Sequence, residues 1–222
     1  SSIFLETEIF KPAAPQAAIP EAEIIEALDK AQFEPFFQPK VDLVKGEVVG
    51  AEALARWRHP QRGMVPPYAF IRVLEDRGLI DKLTWIMVDR SAAACVAWRG
   101  QGLSVTVSVN LSPKSLDDAA LADRVTELVQ KRGLQPRDMI LEITESAAMT
   151  DVARALENLA RLRVKGFGLS IDDYGTGYSS MQQLARIPFT ELKIDRSFVT
   201  DAAAHPQRGV MLESSIDMAH KL

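Results

Sequence analysis

The sequence predicts an α/β fold on a mainly parallel sheet, from three observations. Short runs with strand character alternate with longer runs of helical period from about residue 33 onward, the pattern of strands joined by helical crossovers. The first two strand candidates are separated by only a few residues around Lys45-Gly46, too few for a parallel crossover, so that pair should be antiparallel. The later strands split with period two into an apolar and a polar face, unlike the nearly continuous apolar runs of a parallel sheet buried on both sides.

Taken in order, residues 1–20 hold Pro12, Pro15 and Pro20 amid Ala and Gln with little periodicity, which is linker composition. This stretch reads as a tether of the kind that follows an upstream regulatory domain, leaving residues 21–222 as one folded unit. Pro20 opens a helical pattern in which Ile24, Ile25, Leu28 and Ala31 share a face. Strands are expected at Phe33 to Leu43, Glu47 to Trp57, Val105 to Leu111, Met139 to Thr144, Gly168 to Asp172 and Glu191 to Ile194. Helical patterns lie at about Pro67 to Arg77, Lys82 to Arg99, Pro113 to Arg132, Asp151 to Lys165, Ser179 to Arg186 and Gln207 to Leu222.

Composition narrows the chemistry. No apolar run is long enough to span a bilayer and no basic-then-apolar leader is readable, so the chain is expected to be soluble and cytoplasmic. The lone Cys95 excludes an intrachain disulfide, and His59, His205 and His220 are too scattered for a zinc motif. Any metal would sit on oxygen ligands. A net charge of -4 gives no basic field for long nucleic acid, although a few placed cations can still hold a small anion.

The polar faces carry the functional signal. In Val105 to Asn110 one face is all Val and the other is Thr106, Ser108 and Asn110; Glu142, Asp172 and Lys193 occupy the polar face of their strands, and Glu52 alternates with Ala51 and Ala53. The apolar faces should pack on helices, so the polar residues point inward, late in each strand, where parallel barrels and open sheets place active sites. Two like charges about 4 Å apart repel by roughly 4 kcal/mol at an effective dielectric near 20. Converging Glu52, Glu142 and Asp172 would therefore call for a cation, and an all-oxygen set with the Asn110 amide suits Mg²⁺ or Mn²⁺ rather than zinc.

At these residues the sequence resembles the EAL family of cyclic di-GMP phosphodiesterases. Glu52-Ala53-Leu54 lies inside EALARW, and PPYAFIRVLEDRGLI, VNLSP around Asn110, LEITES around Glu142, DDYGTGYSS from Asp172 and LKIDRSF around Lys193 follow in order. A three-letter string carries nothing alone, whereas six ordered motifs on successive strands are specific. The resemblance runs from about residue 31 to the end. It implies a modified TIM (β/α)8 barrel with an antiparallel first strand and hydrolysis of cyclic di-GMP to linear pGpG with two Mg²⁺ or Mn²⁺ ions.

By position, the resemblance implies metal ligation by Glu52, Asn110, Glu142, Asp172 and Asp173, the last serving the second ion, with Glu52, Asp173 and Lys193 catalytic. Lys193 would hold or polarise the attacking water. Arg56 would contact a substrate phosphate, and Gln38 and Leu54 would line the nucleotide cleft. Glu145 would anchor the loop after Asp172-Asp173, where Tyr174 stands in place of the family's Phe.

The family pattern continues with two more strands, so the barrel is expected to be incomplete at the C-terminus of this chain. Six strands cannot close an eight-stranded barrel. A dimeric or aggregation-prone chain that is weakly active or inactive as a phosphodiesterase is then expected. Competing readings are a non-catalytic cyclic di-GMP receptor or protein-interaction domain, and a metal-dependent barrel enzyme acting on an unrelated small substrate. The intact Glu52 and Asp172-Asp173 favour the phosphodiesterase. Elsewhere, Cys95 reads as a buried structural thiol, His59 as structural or supporting, Asp195 and Arg196 as loop anchors, and Met64, Met87 and Met181 as filler.

Overall fold

A computed structural model describes residues 19–144, 152–174, 187–196, 199–200 and 205–221. Pro20 caps helix α1 (Glu21–Asp29), its carbonyl accepting from the N–H groups of Glu23 and Ile24. The helix buries Ile24, Ala27 and Leu28 and ends earlier than its apolar periodicity suggested. Ala31 adopts φ 53, a left-handed turn that swings the chain into the sheet instead of extending the helical face.

Strands β1 (Phe33–Val41) and β2 (Val48–His59) form the expected antiparallel pair, with Gln38 opposite Glu52 and Lys40 opposite Gly50. Asp42 closes the connection, its Oδ1 accepting from the N–H groups of Val44 and Lys45, while Gly46 supplies φ 69. A three-residue strand, β3 (Gly63–Val65), pairs back onto β2 and was not anticipated, being too short to show a period.

Helix α2 (Ile71–Asp76) follows a 3₁₀ turn at Pro67–Ala69, and the long α3 (Ile80–Gly100) runs to β4 (Thr106–Asn110). The pattern from Pro113 to Arg132 is not one helix but a 3₁₀ turn at Pro113–Asp117 and then α4 (Leu121–Lys131). Strand β5 (Met139–Thr144), helix α5 (Val152–Lys165), strand β6 (Gly168–Tyr174), strand β7 (Glu191–Ile194) and helix α6 (Pro206–Lys221) complete the described elements. The expected helix at Ser179 to Arg186 lies outside the described residues.

The sheet runs β1-β2-β4-β5-β6-β7, with β3 beside β2 and every pair after β1-β2 and β2-β3 parallel. Its outer face is the core. Val107, Val109, Leu141, Ile143 and Leu169 are buried beneath the helices, each adding about 1.5–3 kcal/mol of hydrophobic stabilisation. Phe33, Trp57 and Phe70 close the first turn, with the Phe33 and Phe70 rings 4.9 Å apart, and Phe37 packs edge-on against Trp98 of α3. Among the described residues no pair joins β7 back to β1. Even so, Lys40 of β1 reaches Glu191 of β7 at 2.5 Å across the interior, so the sheet curves enough for its two end strands to meet through side chains.

Candidate active site

Period two on the curved sheet gathers the polar residues inside, and strand register stacks them. Glu52 lies beside Ser108, Asn110 beside Glu142, Glu142 beside Ser170, and Thr144 beside Asp172. Carboxylate oxygens of Glu52, Glu142 and Asp172 lie within 4.8 Å of one another. Into this cluster Lys193 inserts its ammonium, 2.9 Å from Glu52 Oε2, 3.1 Å from Glu142 Oε2 and 3.0 Å from Asp172 Oδ1. Asn110 donates from Nδ2 to Glu52 Oε1 at 3.3 Å, leaving its amide oxygen for another partner.

Glu52 and Asn110 line a cavity of about 400 Å³ at the C-terminal ends of the parallel strands, and Glu142 lies fully buried behind it. Leu54, Asp172, Asp173 and Lys193 also line it. Consecutive strand residues normally face opposite sides, yet Asp172 and Asp173 share this cavity. The register shift between Ile171 and Tyr174 and the φ of 56 at Asp173 break the alternation. Asp is one of the few side chains that tolerates that conformation. Beyond the carboxylates the cavity turns apolar, against Ile71, Ile80, Leu83 and Met87 of α2 and α3.

Glu52, Asn110, Glu142, Asp172 and Lys193 are thus brought together, with Asp173 and Leu54 on the same cavity. Gln38 sits in register with Glu52 without lining it, and Arg56 stands further along β2, its Nη1 donating to the Ala55 carbonyl. Glu145 lies outside the described residues. Lys40, Ser170 and Glu191 were missed as members of the inner face. The signal was present: Gln38 and Lys40 share a face by period two, as do Glu191 and Lys193.

The remaining sequence candidates sit away from the cavity. Cys95 is buried with its thiol on the Val105 carbonyl, and burial pushes its pKa up. His59 Nδ1 accepts from the N–H groups of Gln61 and Arg62, so Nε2 carries the proton toward Glu23 Oε1 at 2.6 Å, tying α1 to β2. Asp195 extends the β6-β7 contact through its N–H to the Tyr174 carbonyl, and the Tyr174 hydroxyl reaches Met218 Sδ of α6 at 3.8 Å.

Burial pushes the Glu52 carboxyl up to about 7, with Glu142 adding to the rise and Lys193 opposing it. For Glu142 burial acts in the same direction, but the Lys193 and Lys40 ammonium groups outweigh it and hold the group below its ordinary range. Burial disfavours the charge on Lys193, yet Glu142, Glu52 and Asp172 overcome this and raise it. Of the three carboxylates, Lys40 serves Glu142 alone, so Glu52 and Asp172 share the Lys193 ammonium with it, and the excess negative charge shows at Glu52. Hard oxygen donors, a neighbouring amide oxygen and uncompensated negative charge fit a divalent cation such as Mg²⁺ or Mn²⁺.

The sign of the pH effect follows. Glu52 moves from 4.5 to about 7 on folding, so in that window the native state binds more protons than the unfolded one. Metal-free stability should therefore fall as pH rises from about 5 to about 8, by roughly 3 kcal/mol. The Glu142 contribution is lost only below this window, as pH falls through its depressed folded value. Urea unfolding in chelator across this range measures the slope, which should vanish in Glu52→Gln. A slope that survives the substitution belongs to another group.

A curved parallel sheet with an antiparallel first pair and an acidic cluster at its C-terminal edge defines a (β/α)-barrel protein with oxygen ligands suited to a metal ion. A family model described as the EAL domain matches residues 21–222, and the chain belongs to the EAL domain family, with its modified TIM barrel fold. Cyclic di-GMP phosphodiesterase RocR of Pseudomonas aeruginosa is 38% identical over 201 residues, 90% of this chain and 51% of RocR. Cyclic di-GMP phosphodiesterase NbdA of the same organism is 40% identical over 207 residues, 91% of this chain and 26% of NbdA. The chain thus spans about half the length of the first relative and about a quarter of the second. The PaMucR phosphodiesterase in complex with c-di-GMP superposes with a TM-score of 0.84 at 36% identity, covering 90% of this chain and 81% of that one. Among the described residues, no helix is long and apolar enough to cross a membrane.

Proposed function

We propose that this chain hydrolyses cyclic di-GMP to linear pGpG. The carrying observation is the cluster of Glu52, Glu142 and Asp172 around Lys193 beside one cavity, in an EAL-family chain with relatives named cyclic di-GMP phosphodiesterases. Glu52, Glu142, Asp172 and the amide oxygen of Asn110 would hold one divalent ion, and Asp173 would serve a second. Bound there, Mg²⁺ or Mn²⁺ would neutralise phosphoryl charge and lower the pKa of a water molecule.

The chain's own groups supply the rest. Lys193, held charged by three carboxylates, orients the attacking water by donating from an ammonium proton. Water oxygen bonds to phosphorus, the P–O3′ bond breaks, and the leaving oxygen ends protonated as the 3′-hydroxyl of pGpG. Arg56 binds a phosphate, and Leu54 and Gln38 contact the nucleotide. Apolar Ile71, Ile80, Leu83 and Met87 exclude water beside the reacting group, which strengthens every charge interaction there. Incubation with cyclic di-GMP and Mg²⁺, followed by chromatography for pGpG, tests this; tight binding without pGpG would turn the reading to a receptor. Glu145 as a loop anchor, a cytoplasmic location, an upstream regulatory domain and pairing of two copies belong to the same proposal. Sedimentation velocity checks the pairing.

Metal choice gives a further expected outcome. Mg²⁺ demands near-octahedral oxygen ligands at about 2.0–2.1 Å, whereas Ca²⁺ takes looser shells at about 2.3–2.6 Å. Mg²⁺ and Mn²⁺ should support turnover. Ca²⁺ should support binding of the nucleotide with far slower hydrolysis, as measured by equilibrium dialysis beside the product assay. Turnover undiminished by chelator would remove the metal from the reading.

A further inference from the structure

Lys40 lies beneath the cavity rather than on it. It is 5% exposed and, like Glu142, absent from the cavity lining, whereas Lys193 lines the cavity. Opposite it on β2, Gly50 admits the close approach of Thr106, whose Oγ1 would lie 2.8 Å from a Cβ there. An ammonium has three protons to donate. Lys40 Nζ donates to Ser108 Oγ at 2.6 Å, Glu142 Oε1 at 2.9 Å and Glu191 Oε1 at 2.5 Å. Glu191 Oε1 also accepts from Ser170 Oγ at 3.1 Å, so the network ties together β1, β4, β5, β6 and β7.

Glu142 is fully buried, and its two oxygens have different partners. Oε1 takes Lys40, and Oε2 takes Lys193, which lines the cavity. We propose that Lys40 is a positioning residue for the metal site: by holding Oε1 of Glu142 from below, it leaves Oε2 alone facing the cluster of Glu52 and Asp172 as a single, fixed ligand atom. The inference rests on the reading of this cavity as a divalent-metal site. Without Lys40, Oε1 of Glu142 would lose the ammonium that anchors it, and the Glu142 carboxylate would be free to turn. Partners that orient a ligand from behind typically set metal affinity by about 10–100-fold. Because Lys40 does not reach the cavity, it should leave nucleotide contacts alone.

The test is a Mn²⁺ titration of the purified protein followed by electron paramagnetic resonance without nucleotide. Lys40→Met should raise the Mn²⁺ dissociation constant by about 10–100-fold. In the product assay the Mn²⁺ needed for half-maximal rate should rise in parallel, while KM for cyclic di-GMP at saturating Mn²⁺ stays within about twofold. General structural damage would move both. Lys40→Met strands the buried Glu142 and the half-buried Glu191, so a second variant, Lys40→Met with Glu191→Leu, replaces one ion pair by apolar groups and should recover thermal stability. Its Mn²⁺ affinity should stay weak, since Oε1 of Glu142 still lacks its anchor. Mn²⁺ affinity within about twofold of wild type in either folded variant overturns the positioning role, as does a rise in KM with metal affinity unchanged. If wild type itself binds no Mn²⁺, the metal reading of the cavity fails and takes this inference with it.

Discussion

Glu52→Ala should lower turnover of cyclic di-GMP on the order of 10³-fold or more, with little loss of folding. Two features of the site set both halves of this expectation. Glu52 brings a carboxylate to a cluster whose oxygens lie within 4.8 Å, and it accepts from both Lys193 and Asn110. Its removal therefore takes away one ligand and loosens two neighbours. Meanwhile Ala51 and Ala53, on the other face of β2, keep their packing beneath the helices. Glu52 is also the carboxyl that burial pushes up to about 7, so its loss relieves an unfavourable charge in the metal-free chain. Product formation and thermal unfolding, measured on one preparation, separate the two effects. A variant that unfolds yet keeps normal specific activity in its folded fraction would assign Glu52 a structural role.

Much of this was legible in the sequence because period two is local. Val107 against Ser108, or Leu141 against Glu142, sorts a strand into core and cavity faces without knowledge of its neighbours. The short connection at Lys45-Gly46 likewise settled the antiparallel pair. What depends on distant partners was harder to read. Lys40 shares a face with Gln38 by the same rule, but only curvature of the sheet reveals Glu191, 151 positions away, as its partner. The turn at Ala31 and the break between Asp117 and Leu121 were hidden because apolar spacing continued through both while the backbone did not. Asp173 was named from its motif, whereas its access to the cavity comes from a left-handed backbone and a register shift that strand alternation does not foresee.

Lys193→Met should separate metal binding from catalysis. In the metal-free chain the Lys193 ammonium holds Glu52, Glu142 and Asp172 at 2.9, 3.1 and 3.0 Å, respectively. Removing one partner of such a buried network leaves its charges uncompensated, and metal-free stability should fall by about 3–5 kcal/mol. Lys40 still neutralises the far oxygen of Glu142, but nothing replaces Lys193 between the other two carboxylates. A divalent ion needs those same oxygens, so the ammonium competes with it. Mn²⁺ should consequently bind the variant at least as tightly as wild type and raise its melting temperature by more. Turnover should nevertheless fall about 10²–10⁴-fold even at saturating Mn²⁺, because the donor that orients the attacking water is gone. Tighter metal with slower chemistry is the opposite of what Lys40→Met should give, where metal weakens and nucleotide contacts persist. If Lys193→Met keeps half the wild-type rate at saturating Mn²⁺, the lysine is only an internal counter-charge, and the water must be held by another group on the cavity.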